Sequence, residues 1–293
     1  MTFVRESDAA MNPAHPETDT PGTVQTMLQP IRRTMSTAIV MLMLLALARA
    51  NAAQPVLCFS DLTSGPKTGN SDISLGQTAD QDGAIVTIWG KNLGNARTGS
   101  KVFANAAEAR VYCWTNAIAP ADLFMRHHMQ MVSVQISHVA RDGPGEIYVV
   151  VNGKKSNPLS FTVQAGRIFF VKTNGLAAAN GDWATPWQAI PEAVRKMAPG
   201  DIVYVCNGVS QTVADSYNAA VNLGSDGEPG RPKALVAYPG ARCLIGATNI
   251  ERGFGHWVSG KGHSADHWTI SKFTVTAGII PILLGSGYRV VGN

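Results

Sequence analysis

The feature that most limits the fold is a series of short apolar strands, separated by turns that carry glycine or asparagine, in the second half of the chain. These strands are rich in Val and Ile, which suit a pleated and buried surface. A single segment with helical spacing stands among them, so the regular alternation of a doubly wound α/β protein is excluded. The predicted strands of this half are 167–171, 201–206, 234–238, 267–275, 279–284 and 288–291.

The one helical segment lies between the first two of these strands. Its apolar residues recur every three or four positions, and Pro199-Gly200 closes it. Proline is tolerated in the first turn of a helix, so the regular part is expected to begin at Pro191. The apolar positions are Trp187, Ile190, Val194 and Met197.

The first half shows a different pattern, in which apolar and polar residues alternate over short segments. Alternation with a period of two is typical of strands that are buried on one face. Asn152-Gly153 follows one such segment and favours a tight hairpin. Several short strands with turns at this spacing predict an antiparallel β-sandwich. The segments are 84–89, 131–136, 146–151 and 159–163.

Residues 55–164 resemble the IPT/TIG family of immunoglobulin-like domains. The likeness is carried by DLTSGPKTG, by GAIVTIWGKNLG and by EIYVVVNGKKSNPLSFTV. Members of that family are spacers or binding modules, so the resemblance implies no catalysis here. The chain departs from the pattern at 116–130, where His127-His128 invites a metal-binding interpretation. Adjacent residues of a strand point to opposite sides, however, so a solvated loop is the expectation.

Residues 166–293 resemble the amino-terminal part of right-handed parallel β-helix proteins of the pectate-lyase-like group. The likeness is carried by Pro199-Gly200-Asp201, Asn207-Gly208 and Tyr238-Pro239-Gly240. It implies that the helix near 191–197 caps a stack of coils, each of which is stable only against its neighbours. The expected fold is therefore all-β: a small immunoglobulin-like β-sandwich followed by a truncated right-handed parallel β-helix with an N-terminal capping helix.

No second cap is recognisable after the last predicted strand. The expectation is that the chain is the N-terminal fragment of a longer protein, that catalytic residues lie beyond residue 293 and that the fragment itself is inactive. The resemblance implies a polysaccharide lyase or glycoside hydrolase for the full-length protein, with calcium as a cofactor if it is a lyase. The alternative is a non-catalytic cell-surface adhesin or polysaccharide-binding protein, since the fold alone does not decide function.

Residues 31–53 have the three-part layout of a signal peptide. Arg32-Arg33 precede the apolar run 38–48, and Ala50-Asn51-Ala52 offers small residues for cleavage. The run is too short to span a bilayer, which needs about 20 helical residues; a buried core helix is the alternative. Residues 1–30 are expected to be a disordered leader or an untranslated one. The predicted location is secreted, periplasmic or cell-surface, with no membrane span once the signal is removed.

The net charge limits the kinds of partner that the chain is expected to bind. The net charge is only +4 and no basic run occurs, so nucleic acid is excluded as a partner and a polysaccharide or cell-surface glycan is expected.

An exported chain with an even number of cysteines permits disulfides. The division of the chain favours the pairs Cys58–Cys113 and Cys206–Cys243, and isolated buried thiols are the alternative.

The side chains of the second half that could bind a ligand or take part in a reaction form two groups. Neither group is assigned a catalytic, cofactor or metal role. The histidine-rich segment GHWVSGKGHSADHW is expected to be a polar loop, and the tryptophans are expected mainly to seal the core. Asp201 and Asp226 stand beside Gly or Pro as turn formers. The segment's possible metal ligands are His256, His263, Asp266 and His267, and the tryptophans that could stack on sugar rings are Trp183, Trp187, Trp257 and Trp268.

Overall fold

The computed structural model describes residues 39–41, 53–72, 74, 81–257 and 265–293. Residues 53–293 form one compact unit. The predicted leader lies outside the described residues, and of the predicted signal peptide only 39–41, which are helical, and residue 53 are described. Among the described residues no helix has the length and apolar character needed to cross a membrane.

The regular secondary structure of the compact unit is almost entirely β in its described part. Its strands are β1 (Val56–Ser60), β2 (Ser64–Gly65), β3 (Ile85–Lys91), β4 (Lys101–Ala104), β5 (Ala107–Asn116), β6 (Gln130–Gln135), β7 (Gly143–Val151), β8 (Lys154–Lys155), β9 (Leu159–Val163), β10 (Ile168–Val171), β11 (Ile202–Val205), β12 (Ser210–Gln211), β13 (Ala219–Asn222), β14 (Lys233–Ala237), β15 (Leu244–Ile245), β16 (Arg252–Gly255), β17 (Trp268–Ser271), β18 (Thr274–Val275), β19 (Ile280–Ile282) and β20 (Arg289–Val291). Two helices, α1 (Phe124–His127) and α2 (Ile190–Lys196), complete it.

Strands β1 to β9 form one sheet, called here the antiparallel sheet. Its strand order is β1-β3-β6-β5-β4-β7-β9-β2, with β8 on β7, and only β2 pairs in parallel. The long strand β5 pairs with β4 near its start and with β6 along the rest, so it joins the two halves of the sheet. The predicted turn Asn152-Gly153 is present, with positive φ at both residues. A close approach explains Gly90, where a Cβ would lie 2.4 Å from the Val56 carbonyl oxygen.

Strands β10 to β20 form three parallel sheets, called here the parallel stack. The sheet orders are β10-β11-β14-β17-β20, β12-β15-β18 and β13-β16-β19. In the first sheet Ile202 pairs with Ala234 and Ala234 with Thr269, so each coil lies directly on the one before. This is a β-solenoid of about three turns, as the sequence predicts; its right-handed sense stays a prediction. Helix α2 begins one residue before Pro191 and buries its apolar face in the stack interior.

Strands β10, β11 and β14 of the five-stranded parallel sheet are covered on both faces, whereas the last strand, β20, is only partly buried. Phe170, Tyr204 and Val236 pack into a core shared with the antiparallel sheet. Their neighbours Val171, Val205 and Leu235 pack into the interior of the stack. A strand covered on both faces needs no polar positions, which explains the near-continuous apolar runs in this half of the chain.

A buried ion pair joins the antiparallel sheet to the parallel stack. The Lys272 ammonium donates to Asp61 Oδ2 at 2.7 Å and to Thr87 Oγ1 at 2.7 Å, and both charged side chains are almost fully buried. Lys272 has a positive φ of 66° and turns the chain between β17 and β18. The single strand predicted over 267–275 is therefore wrong: it is two strands in different sheets, because the left-handed residue makes a corner there.

The predicted disulfides are also wrong, since all four cysteines are free thiols. Cys58 on β1 and Cys113 on β5 are separated by β3 and β6, a distance of about 14 Å that a disulfide cannot span. Cys206 packs toward the core shared with the antiparallel sheet, whereas Cys243 lies in the stack interior. The alternative expectation, isolated buried thiols, is correct for Cys243, holds in part for the half-buried Cys113 and Cys206, and is wrong for the exposed Cys58.

The buried ion pair generates a stability prediction. Lys272→Met leaves Asp61 charged and buried without its partner, so the free energy of unfolding should fall by about 3–5 kcal/mol. Adding Asp61→Asn removes that charge while keeping an oxygen for the Thr87 amide, and should recover part of the loss. Urea unfolding measures both. The exposed pair Lys101–Glu108 is the control, where Lys101→Met should cost about 1 kcal/mol or less; equal losses at both sites would contradict the prediction.

The thiols generate a reactivity prediction. Burial raises the pKa of Cys206 and of Cys243 to about 12, and raises the pKa of Cys113 as well. Because the thiolate is the reactive form, these three should label slowly at pH 8, whereas the exposed Cys58 should label first. Mass spectrometry of the native protein after timed alkylation measures the order. A mass 2 Da lower per cysteine pair would instead indicate disulfides.

Candidate functional site

Three of the four candidate tryptophans are unsuited to a ligand. Trp187 and Trp268 are buried in the stack interior. Trp183 is half-buried, and the Lys172 ammonium lies 3.1 Å from the centre of its ring. Trp257 alone among the four is exposed, at 45%. The expectation that these tryptophans mainly seal the core is therefore correct for two of them and wrong for Trp257.

The histidine-rich segment does not assemble a metal site among the described residues. His263 lies outside the described residues. Asp266 is engaged by the backbone amide of Ser286, and the ring of His267 packs against Gly287. In the described part of the chain, no three His, Cys, Asp or Glu side chains lie close enough to hold a metal ion.

The two turn-forming aspartates have structural partners. Asp201 is buried, accepts from the Ala198 amide at 2.8 Å and forms an ion pair with Arg167. Asp226 accepts from the amide of Asp266 at 3.1 Å. Both are occupied in holding turns of the stack.

The exposed Trp257 belongs to a groove of about 260 Å³ beside the sheet β13-β16-β19, called here the lateral groove. Sequential coils supply its sides: the turn before β13, the strand β16 and its continuation, and the residue after β19. Its lining residues are Tyr217, Asn222, Arg252, Gly255, His256, Trp257 and Leu283.

Two exposed aromatic rings flank the lateral groove. The Tyr217 and Trp257 ring centres are 6.3 Å apart with their planes at 50°, and Tyr217 is 49% exposed. Tyr217 and Asn218 have positive φ angles of 51° and 54° and form the centre of a tight turn from Ser216 to Ala219. A bulky residue in the left-handed region is strained, and such strain concentrates at functional positions.

Trp257 is held in place through its backbone. The Asn222 side chain donates to the Trp257 carbonyl at 2.9 Å and accepts from its amide at 3.0 Å. Gly255 lies beneath, where a Cβ would come within 2.8 Å of the Ala219 Cβ. The main chain that carries the indole ring is therefore fixed, even though the ring itself is exposed.

Two nitrogen atoms beside these rings lack partners. Arg252 donates through Nη1 to the Tyr217 carbonyl at 2.8 Å and forms an ion pair with Glu251, but its Nε is buried and unbonded among the described residues. The same is true of His256 Nδ1. An unsatisfied buried polar atom costs about 1–3 kcal/mol. Because both nitrogens are buried, they do not provide an exposed donor or acceptor at the groove surface.

The largest pKa shifts lie elsewhere, at the junction of the antiparallel sheet and the stack. Burial raises the pKa of Tyr112 and Tyr238, whose hydroxyl groups bond to each other at 2.8 Å, and Asp72 accepts from Tyr238. Tyr204 bonds through its hydroxyl to the Ile85 backbone, and burial raises its pKa too. These hydroxyls stay protonated and hold the two parts together.

Comparisons with known proteins leave the family open. No family model and no curated protein matches the chain. Among solved structures, XylC in complex with xylose is 22% identical with a TM-score of 0.24 over 27% of this chain and 11% of that one. A rhamnogalacturonan lyase is 19% identical with a TM-score of 0.23 over 36% of this chain and 26% of that one. Similarities this low support no statement about the fold or function of this chain.

The strained turn generates a prediction about stability. Asparagine tolerates the left-handed region far better than tyrosine, so Tyr217→Asn should raise the free energy of unfolding, by up to about 1 kcal/mol. Tyr217→Val is the matched control and should lower it, because β-branched residues are the least tolerant there. Thermal and urea unfolding test the pair. Destabilisation by Asn as large as that by Val would show that the turn is not strained.

Proposed function

We propose that this protein is an exported carbohydrate-binding protein and that the lateral groove is where it engages a glycan. The observation that carries the proposal is the exposed Tyr217–Trp257 pair, whose main chain is held by hydrogen bonds from the side chains of Arg252 and Asn222. Aromatic rings offer an apolar face to the C–H surface of a sugar ring, and a few fixed polar groups set its orientation.

Binding is favoured over catalysis by the charges in the groove. A glycosidase needs two carboxyl groups about 5–9.5 Å apart. None of the described residues that line the groove carries a carboxylate, and the neighbouring Glu251 is paired with Arg252. A lyase or hydrolase activity stays a second hypothesis, supported by the resemblance to the pectate-lyase-like group.

We propose further that residues 31–53 act as a signal peptide and that residues 55–164 form an immunoglobulin-like module of the IPT/TIG type. Residues 166–293 then form a right-handed β-helix whose first coil is covered by α2. In this arrangement the module braces one side of the stack and leaves the lateral groove open to a glycan in the secreted, periplasmic or cell-surface compartment.

Calorimetric titration with neutral and uronate-containing oligosaccharides tests the proposal. Trp257→Ala removes a ring that is half-exposed before binding, so it should cost about 1–1.5 kcal/mol, or roughly tenfold in Kd. Tyr217→Asn should weaken binding comparably while preserving the fold. Tyr148→Ala is the matched control, because Tyr148 stacks on Phe103 on the antiparallel sheet, outside the groove. Binding that survives both groove variants, or no binding to any oligosaccharide, would refute the proposal.

A further inference from the structure

The loop between β5 and β6 is a compact unit with an ordered backbone. The Ala117 amide donates to the Met129 carbonyl at 3.1 Å and closes the base of the loop. The amides of Leu123 and Phe124 both donate to the Ala117 carbonyl, at 2.8 and 2.9 Å. Asp122 caps the short helix α1 by accepting from the Phe124 and Met125 amides. The side chains of the loop therefore project from a fixed frame.

Four potential soft or borderline metal ligands follow one another on this frame: Met125, His127, His128 and Met129. Met125 is 72% exposed, both histidines are exposed, and Met129 is half-buried. Neither imidazole forms a hydrogen bond or an ion pair within the described part of the chain; the His128 ring only meets the edge of Phe124. Both thioethers and both imidazoles are thus available to a ligand.

The structure removes the objection that the sequence pattern raised against the histidine pair. Adjacent residues point to opposite sides only in a strand, and His127 and His128 are not in one. His127 is the last residue of α1, and His128 follows with a left-handed φ of 53°. The chain reverses at His128, which brings Met129 back toward the base of the loop beside Ala117.

We propose that residues 125–129 form a copper(I) site, with the thioethers of Met125 and Met129 and the imidazoles of His127 and His128 as its ligands. Thioethers are soft ligands that select copper(I), and imidazole also suits copper. The hard cations calcium and magnesium require oxygen ligands, and the one carboxylate of this loop, Asp122, is occupied as the helix cap. This site is separate from the lateral groove and does not depend on glycan binding.

Anaerobic titration of the full chain with copper(I) against a chromophoric chelator tests the site. The exposed Cys58 would also bind copper(I), so the measurement uses a Cys58→Ser background. One copper(I) per chain is expected. Loss of even an outer-shell partner typically costs about 10–100-fold in metal affinity, so Met125→Leu with Met129→Leu should weaken binding by at least that factor. The double variant His127→Ala, His128→Ala should weaken copper(I) binding by a similar factor.

Arg126→Gln is the matched control, because it alters an exposed residue between the ligands without removing one. It should keep the full affinity. Leucine has nearly the volume of methionine, so the Met→Leu variants should retain the parent melting curve. In a second readout, copper(I) should shift the methyl NMR signals of Met125 and Met129 selectively among the ten methionines. Full affinity in the Met→Leu variant, or tighter binding of zinc(II) than of copper(I), would overturn the proposal.

Discussion

The structure depends on three parallel strands that are buried on both faces. Strands β10, β11 and β14 contribute alternate side chains to the stack interior and to a second core beneath the antiparallel sheet, and β17 extends the stack interior. Parallel coils cannot bury their apolar residues alone and gain stability only from stacking and from cover. The antiparallel sheet supplies that cover along one side, and the buried Lys272–Asp61 ion pair joins the two parts.

The same arrangement determines where a ligand can bind. One side of the parallel stack is occupied by the antiparallel sheet, and its polar junction groups are used in hydrogen bonds between the two parts. Among the described residues, the sheet β13-β16-β19 has no such cover along the lateral groove, and there the chain places two exposed aromatic rings. The loop at residues 117–129 is a second exposed feature, with a different chemistry based on sulfur and imidazole ligands.

The sequence pattern does not predict most of the candidate site. The sequence offers four tryptophans that could stack on a sugar ring and does not distinguish among them. Only its exposure in the structure separates Trp257 from Trp187 and Trp268. Tyr217 was not a candidate at all, because its single signal is a tyrosine in a left-handed turn, which no spacing rule reveals. The disulfide pairs failed for the same reason: proximity along the chain did not reveal that two strands separate Cys58 from Cys113.

What the sequence determined by itself is local. The period-two alternation placed β3, β6, β7 and β9, the apolar runs placed β10, β11 and β14, and the three- and four-residue spacing placed α2, each within a few residues. Periodicity is a property of neighbouring residues, so it can be read without knowing the fold. Only the tertiary structure decided which faces are covered, which thiols stay apart, where Lys272 divides a strand and which rings remain exposed. Those outcomes depend on residues that lie far apart in sequence and meet only when the coils stack and the antiparallel sheet packs against them.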